Sequence, residues 1–339
     1  MAVFTLRSHL RPVTSKLLFL VISSSLLYGF YYYNNNKHYE CPTVSKLSLL
    51  RHYPIFGYNP YPQIQSTPKH NIPLNVTYPI LSTTLTKGLK IAWIIHSSPG
   101  NFRERQYIRS EYLDQKTEIV PFFVILRSNT TTVNEDVHAE FRRYNDIILV
   151  HNIEDDYHNI THKIRAWIPF LHKLRPKVVL KTDDDVMINW NGMSMMLNQM
   201  KDLRNTVLCR VYSEGQVVRN SASKWYLSKE EYSDTSLGTY CQGMVMMFTG
   251  DLVNTMVENM DKVQYLWMDD WYLSRALLNG SQTFYIDIGR HYLSTNTEHE
   301  VQSFLKSPRE IYFAHFRTSY RYELTERKAI WNKIKQAMC

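Results

Sequence analysis

The sequence is poor in cysteine and has no cysteine pair spaced for metal binding. Four cysteines occur in 339 residues, at Cys41, Cys209, Cys241 and Cys339. Because no CxxC pair occurs, a structural zinc site is not expected. So few cysteines in a chain of this length also exclude a disulfide scaffold. One bridge in a large domain is compatible with the count. Cys209–Cys241 is the favoured pair, although sequence alone does not fix the pairing.

Long runs of basic residues are absent as well, although positive charge is in excess. The chain has 39 Lys and Arg against 31 Asp and Glu, a net charge of +8. A nucleic-acid-binding protein usually shows a basic stripe or a recognisable module, and neither occurs here. We therefore expect no nucleic-acid partner. The scattered charge is compatible with an anionic ligand such as a nucleotide diphosphate.

An apolar and aromatic segment near the N-terminus predicts the compartment. Residues 17–33, LLFLVISSSLLYGFYYY, form a short span that suits the thinner early secretory membranes. Arg7, Arg11 and Lys16 precede it without an acidic residue, so the positive-inside rule places residues 1–16 in the cytosol. We predict a transmembrane signal-anchor at 17–33 with everything after it in the lumen.

A cleaved signal peptide is the competing interpretation of this segment. It needs small residues at a cleavage site, whereas the segment ends in tyrosines and asparagines, so we favour the uncleaved anchor. Luminal exposure would make sequons available for glycosylation. We predict glycosylation at Asn75, Asn129 and Asn279. The sequon residue Asn159 is expected to start a helix, where its side chain would act as a cap.

The pattern along the chain changes near residue 89. Residues 34–88 contain recurrent prolines without apolar periodicity and predict an extended luminal stem. From residue 89 onwards, short apolar runs at 91–95, 120–126, 147–150 and 178–180 alternate with helical patterns at 103–113, 133–144 and 157–174. This alternation predicts an α/β domain over 89–339 with parallel strands. Ligands bind such sheets beyond the carboxyl ends of the strands.

Three consecutive carboxylates stand at one such strand end. Asp183, Asp184 and Asp185 follow the apolar run 178–180 almost directly. Adjacent like charges are costly unless a cation compensates them. A hard divalent ion with oxygen ligands does so, and a diphosphate often completes its coordination. We therefore expect a site for Mn²⁺ or Mg²⁺ here.

Other interpretations of the acidic triplet remain open. Most acidic triplets are solvated turns, and only the position at a strand end favours a site. A phosphatase-like D-x-D-x-[T/V] motif would place Met187 where Thr or Val is required, which ranks it low. An EF-hand loop does not fit, because no D-x-D-x-D-G pattern follows.

A second acidic pair, Asp269–Asp270, could supply a base. A hydroxyl nucleophile needs a carboxylate within hydrogen-bonding reach, and crowding of two carboxylates can raise one pKa towards neutrality. The alternative is a helix N-terminal pair that interacts with the helix dipole. His315 likewise has two interpretations, a packed histidine or a metal ligand.

Six ordered blocks of the sequence resemble one family of enzymes. The chain resembles the β-1,3-hexosyltransferases, which include β-1,3-galactosyltransferases and β-1,3-N-acetylglucosaminyltransferases and are distantly related to Fringe. The resemblance covers roughly residues 90–320. The blocks that carry it lie at residues 97–109, 157–163, 181–186, 223–232, 240–243 and 268–271.

The resemblance implies a GT-A-like, Rossmann-type mixed sheet flanked by helices, on a single N-terminal transmembrane helix. It also implies a metal-dependent, inverting transfer of galactose or N-acetylglucosamine from a UDP-sugar to a glycan acceptor. Asp185 would be a metal ligand, with His315 as a further ligand, and Asp270 would be the general base.

Further roles follow position by position from the same resemblance. Five would be cofactor-binding residues: Arg105, Arg109, Lys163, Asp183 and Asp184. Of these, Arg105 and Arg109 would face the nucleotide side or brace its loop, and Asp184 would contact the ribose or assist at the metal. Three would face the acceptor: Trp225, Tyr226 and Asp269. The implied setting is the Golgi membrane, as a single-pass type II protein, and a homodimer is compatible with it.

The sequence departs from the family pattern at three places, one of which is Tyr112, where the family has a tryptophan. Glu104 stands before Arg105 where the family usually has paired arginines. The small-residue run after the cysteine is replaced by residues 242–245, QGMV, which leaves sugar specificity open. The last two departures motivate an alternative, a non-catalytic glycan- or sugar-nucleotide-binding partner of an active glycosyltransferase.

Overall fold

The computed structural model describes residues 55–57, 72–81, 89–113, 118–295, 297–316 and 323–338. The predicted anchor at 17–33 and most of the predicted stem lie outside these residues. Within the described ranges, no helix combines the length and apolarity needed to cross a membrane.

The strands of the described chain form two sheets. Their bounds are β1 (Ile55–Gly57), β2 (Val76–Thr77), β3 (Ile91–His96), β4 (Ile119–Arg127), β5 (Ile147–Glu154), β6 (Val178–Asp183), β7 (Val186–Ile188), β8 (Thr206–Gln216), β9 (Ser236–Thr249), β10 (Phe284–Asp287), β11 (Tyr292–Thr295) and β12 (Phe313–Phe316). The larger sheet has the order β1-β10-β8-β9-β6-β3-β4-β5-β2, and the smaller one has the order β11-β12-β7.

Helices flank the large sheet and follow its strands in sequence. They are α1 (Phe102–Leu113), α2 (Thr131–Tyr144), α3 (Thr161–Leu174), α4 (Trp190–Met200), α5 (Leu252–Asn259), α6 (Asp269–Ser274), α7 (Glu298–Lys306) and α8 (Leu324–Met338). Strands β6, β3, β4 and β5 are parallel neighbours, whereas β9 runs antiparallel to β6. The predicted mixed α/β architecture with a central sheet is confirmed.

The central strands are buried on both faces, which explains their continuous apolar runs. In β3, Ala92 and Ile94 join the core on one face together with Trp167 of α3. Trp93 and Ile95 join the core on the other face, where α4 packs. The helices on both faces leave the strand ends accessible, and a site can form there.

The predicted helix at 157–174 is wrong at its start. Residues 157–159 form a separate 3₁₀ turn, in which Asp156 accepts a hydrogen bond from the backbone N–H of His158 at 2.8 Å. The residue before α3 is Ile160. Asn159 is therefore not the helix cap, and its side-chain amide donates to the Glu154 carbonyl at 3.0 Å.

A disulfide joins β8 and β9. Cys209 and Cys241 are bonded, with their Cα atoms 5.7 Å apart, so the favoured pairing is confirmed. Both cysteines are fully buried. The bridge closes the excursion of residues 217–235, which contributes side chains to the rim of the cleft described below.

Removing this bridge by the double substitution C209A/C241A should destabilise the fold. The cysteines are 32 residues apart, and a bridge that closes a loop of this length lowers the entropy of the unfolded chain by an amount worth about 3–4 kcal/mol. Urea unfolding of the variant against the wild type would measure the difference. An unchanged free energy of unfolding would contradict a structural role for the bridge.

Candidate active site

A large cleft opens beyond the carboxyl ends of the parallel strands β3, β4, β5 and β6. It encloses about 1200 Å³ and is lined by residues that follow each of these strands. This is where ligands bind in open α/β sheets. Both acidic motifs of the sequence, the triplet after β6 and the pair that begins α6, line the same cleft.

The acidic triplet forms the turn between β6 and β7. Asp183 Oδ1 accepts a hydrogen bond from Lys181 Nζ at 2.8 Å. The Asp184 side chain turns inward, where its Oδ2 accepts from Nδ2 of Asn101 at 3.0 Å. Burial raises the pKa of the Asp184 carboxyl to about 6, and the charge of Asp185 adds to this. Asp185 is the most exposed of the three, with 44% of its side chain accessible.

Strand pairing brings His315 to Asp185. In the small sheet, β12 runs antiparallel to β7 with His315 opposite Val186. The His315 Nε2 atom lies 2.8 Å from Asp185 Oδ2. The other oxygen, Asp185 Oδ1, is buried without a hydrogen-bond partner among the described residues. The two predicted metal ligands are thus neighbours.

This pair fits a divalent cation. An unpartnered carboxylate oxygen beside an imidazole nitrogen is a donor set that such an ion can use. Within the described residues, no cluster of three or more His, Cys, Asp or Glu side chains could hold a metal. A site with two protein ligands would be completed by substrate phosphates and water, which is common for Mg²⁺.

A buried lysine connects the two acidic motifs. The Lys181 side chain is 1% exposed. Its Nζ donates to Asp183 Oδ1 at 2.8 Å and to the Gly243 carbonyl at 2.7 Å, and lies 3.6 Å from Asp269 Oδ2. Burial acts to lower the pKa of Lys181, but Asp183 and Asp269 outweigh it and raise that pKa. The ammonium group stays charged and ties β6, β9 and α6 together.

Asp269 lies between this ammonium and a buried histidine. The indole Nε1 of Trp167 donates to His96 Nε2 at 3.1 Å. Because an indole nitrogen can only donate, Nε2 accepts and the neutral ring carries its proton on Nδ1. That atom lies 3.6 Å from Asp269 Oδ2. Burial lowers the pKa of His96 to about 3, so the ring is neutral at physiological pH.

The carboxyl groups of Asp269 and Asp270 have very different pKa values. Burial acts to raise the pKa of Asp269, but Lys181 and His96 together lower it to about 2. Burial and the charge of Asp269 raise the pKa of Asp270 to about 7. Asp270 Oδ1 accepts from the backbone N–H of Trp271 at 2.7 Å. A carboxyl that titrates near neutrality beside a cleft is suited to act as a base.

Two predicted nucleotide-side residues brace the loop that follows β3. Arg105 is fully buried and donates to Ser97 Oγ at 2.9 Å and to the Ser98 carbonyl at 2.7 Å. Lys163 Nζ donates to the Ser97 carbonyl and pairs with Asp155, both at 3.0 Å. Lys163 lines the cleft, whereas Arg105 does not. For Arg105 the structure supports the bracing role over a nucleotide contact.

Arg109 does not line the cleft. Its guanidinium donates to Glu140 at 2.7 Å and to Asp146 at 2.8 Å. The Arg109 guanidinium also lies over the ring of Tyr144, 4.0 Å from its centroid. Because these partners occupy the guanidinium and Arg109 is absent from the cleft lining, direct cofactor binding by Arg109 is not what the structure shows. It holds Glu140, which also binds Arg105.

Glu104, which stands where the family usually has an arginine, pairs with an arginine of α8. Glu104 Oε1 accepts from Arg327 Nη2 at 2.8 Å, and Arg327 Nη1 lies 3.4 Å from the Asp185 carbonyl. Both Glu104 and Arg327 line the cleft. The acidic residue in place of an arginine thus ties α1 to α8 beside the acidic triplet.

Two exposed aromatic residues that line the cleft, Tyr157 and Trp225, form what we call the aromatic rim. Trp225 lines the cleft and is 41% exposed. The Lys224 ammonium lies 4.6 Å from the Trp225 ring centroid and 5.5 Å from that of Tyr157. Tyr226 is 36% exposed but does not line the cleft. A rim with exposed aromatic faces can stack against sugar rings.

The predicted glycosylation sites differ in their surroundings. Asn75 and Asn129 are exposed, and Asn279 is half-buried. Asn129 also lines the cleft. Glycosylation of the three stays a prediction.

Three residues that shape the site do not follow from the sequence patterns above. Lys181 belongs to the acidic block at 181–186, and the signal for its own role is a lysine inside a buried strand. His96 had a similar signal at the end of an apolar run. Arg327 had none, because its contacts with Glu104 and the triplet come from chain segments that are distant in sequence.

Comparisons with known proteins agree with the resemblance. The family model described as galactosyltransferase matches residues 103–288. Beta-1,3-galactosyltransferase 5 of Gorilla gorilla gorilla is 27% identical over 192 residues, which cover 54% of this chain and 63% of that protein. Beta-1,3-galactosyltransferase 1 of Mus musculus is 25% identical over 192 residues, which cover 54% and 58%. The chain therefore spans less than two thirds of these relatives.

A solved structure was also matched at a low level. The glycosyltransferase GlyE of Streptococcus pneumoniae TIGR4 shows a TM-score of 0.34 and 10% identity, with coverage of 72% of this chain and 60% of that protein. Nothing about this chain follows from a likeness at that level.

Replacing Lys181 by methionine should destabilise the protein by about 3 kcal/mol, since Asp183 and Asp269 lose a buried counter-charge. Urea unfolding would measure the change. Lys173→Met, on the exposed face of α3, is the matched control and should change stability by less than about 0.5 kcal/mol. Equal stability of the two variants would show that the buried ammonium contributes nothing to folding.

Proposed function

This chain belongs to the galactosyltransferase family, and on that premise we propose that it transfers galactose or N-acetylglucosamine from a UDP-sugar to a glycan acceptor. The proposed linkage is β-1,3, and the acceptor is a glycan on a protein or a lipid. One observation carries the proposal. The same cleft is lined by the Asp185–His315 pair and by Asp270, whose pKa is raised to about 7.

Asp185 and His315 would hold the metal, Mn²⁺ or Mg²⁺. When bound, such an ion acts as a Lewis acid that offsets the negative charge on the departing diphosphate. Asp183 stays tied to Lys181, and Asp184 is turned inward to Asn101. These two carboxylates shape the turn that presents Asp185, and the nucleotide would bind along it.

Asp270 would act as the base. Its carboxylate accepts the proton of the acceptor hydroxyl while that oxygen attacks the anomeric carbon and the bond to UDP breaks. Because attack and departure occur on opposite faces, the anomeric configuration inverts. Asp269 touches neither the proton nor the sugar in this scheme. Its permanent charge keeps the Asp270 pKa near neutrality, where a base is most effective.

The acceptor would approach from the aromatic rim. Trp225 supplies an exposed ring face in the cleft, and an apolar sugar face stacks on such a ring. The rim and the acidic triplet line one cleft, so both substrates would bind there together. Direct displacement requires such simultaneous binding.

The proposed setting is the Golgi membrane. Residues 17–33 would anchor the chain as a type II protein, with a luminal stem after them and 89–339 as the luminal catalytic domain. The sheet of that domain also includes residues 55–57 and 76–77 of the predicted stem 34–88. A homodimer and glycans at Asn75, Asn129 and Asn279 belong to the same proposal. A luminal location agrees with the Cys209–Cys241 disulfide, since such bonds persist in oxidising compartments.

A donor panel tests the function. Purified full-length protein is incubated with UDP-sugars and Mn²⁺, with and without EDTA, and UDP release is followed with a set of glycan acceptors. We expect metal-dependent release from one donor that disappears in Asp185→Ala. Silence from every donor with folded protein would favour the non-catalytic binding partner instead.

Asp270→Asn should lower kcat by at least about 100-fold, because a general base typically contributes 10²–10⁴. The substitution keeps the shape of the side chain. Asp136→Asn, on the exposed face of α2, is the control and should leave kcat unchanged. Comparable kcat values for the two variants would exclude Asp270 as the base.

The pH dependence of kcat/KM should report the Asp270 carboxyl. Only the ionised form accepts a proton, so activity should rise with pH through about 7. Asp269→Asn removes the neighbouring negative charge, which lowers the Asp270 pKa and should move the acidic limb to lower pH. If the acidic limb of kcat/KM lies at the same pH in the wild type and in Asp269→Asn, Asp270 is not the group that the profile reports.

A further inference from the structure

Strand β9 is irregular where it passes the cleft. Its pairing with β8 joins Met246 to Cys209 on one side and Cys241 to Val211 on the other. Residues 242–245 of β9 therefore stand opposite Arg210 alone. Three of them, Gln242, Gly243 and Met244, line the cleft. Bulges of this kind re-aim side chains next to active sites.

The side chain of Gln242 carries a buried acceptor. Its Oε1 has no hydrogen-bond partner among the described residues, although the residue as a whole is only half-buried. A buried amide oxygen without a hydrogen-bond partner is unfavourable, and native structures keep few such groups. A ligand in the cleft that offers a donor would satisfy it.

The residues on both sides hold Gln242 in place. The backbone N–H of Cys241 donates to Ser274 Oγ at 2.9 Å, and Cys241 is tied to β8 by its disulfide. The Gly243 carbonyl accepts from Lys181 at 2.7 Å. A Cβ atom at Gly243 would lie 3.1 Å from Asp270 Cβ. The backbone on both sides of Gln242 is thus held in place, and the next residue, Gly243, lies close to Asp270, the proposed base.

The hexose of the donor is the ligand that this position favours. The reacting anomeric carbon must lie near Asp270, and the donor hexose carries it. The Lys181 ammonium that holds Gly243 also holds Asp183 of the acidic triplet, where the diphosphate would bind. The aromatic rim comes from separate segments, at Tyr157 and Trp225, so the acceptor has its own surface.

We propose that Gln242 is a specificity-determining residue whose Oε1 accepts a hydrogen bond from a hydroxyl or acetamido N–H of the hexose carried by UDP. This assignment rests on the proposed function. Buried Met244 beside it supplies an apolar contact. A site built to accept a hydrogen bond rejects an analogue that lacks the donor group, because its buried polar atom is then left unpaired.

Titration calorimetry of the full-length protein tests the proposal without relying on turnover. The probes are UDP, UDP-galactose and UDP-N-acetylglucosamine, each with Mg²⁺. In Gln242→Met, which keeps the length and removes the acceptor, the affinity for the preferred UDP-hexose should fall about 5- to 20-fold. The affinity for UDP should stay within about 2-fold, since UDP lacks the hexose.

Two further variants sharpen the comparison. Gln242→Asn shortens the side chain by one methylene and moves the amide away from the hexose. It should show the same selective loss of UDP-hexose affinity, and it replaces Gln242→Met if that variant fails to fold. Gln302→Met, on the exposed face of α7, is the matched control and should bind every probe as the wild type does.

Three outcomes would overturn the assignment of Gln242 to the donor hexose. Equal losses for UDP and UDP-hexose would indicate a distorted cleft. Unchanged UDP-hexose affinity with a raised KM for the acceptor would place Gln242 on the acceptor. If the wild type binds UDP but gains nothing from the hexose, Gln242 has no donor role. Failure of the wild type to bind UDP at all would instead overturn the proposed function.

Discussion

The buried ammonium group of Lys181 is the interaction on which both acidic motifs depend. Five carboxylates line the cleft at residues 183–185 and 269–270, and like charges in such proximity repel strongly. Lys181 lies beneath them with a hydrogen bond to Asp183 and a close approach to Asp269. Because the same nitrogen also holds the Gly243 carbonyl, one cation fixes the relative position of β6, β9 and α6.

This arrangement gives adjacent carboxylates different properties. Asp269 faces Lys181 and His96, so its pKa falls to about 2, whereas Asp270 faces the cleft and its pKa rises to about 7. A permanent charge next to a titratable group is how one site obtains a base that works near neutrality. Gly243 contributes because a side chain there would crowd Asp270. The geometry of the pair therefore depends on residues outside it.

Local patterns predicted much of the fold, and long-range contacts account for what they missed. The strands β3 to β6 and the triplet at a strand end follow from short apolar runs and turn position. The contact of His315 with Asp185 depends on β12 pairing with β7 across 130 residues, and only the family resemblance suggested it. The burial of Arg109 against Glu140 and Asp146 could not be read from spacing, because the partners lie in other elements.

A crystal structure with UDP and Mn²⁺, collected with anomalous data, is the most direct test that the two acidic motifs form one sugar-transfer site. We expect an anomalous Mn²⁺ peak within coordinating distance of Asp185 and His315. The β-phosphate of UDP should lie beside it, and Asp270 should face the space next to that phosphate. A Mn²⁺ peak elsewhere, or UDP bound away from the acidic triplet, would contradict a shared site.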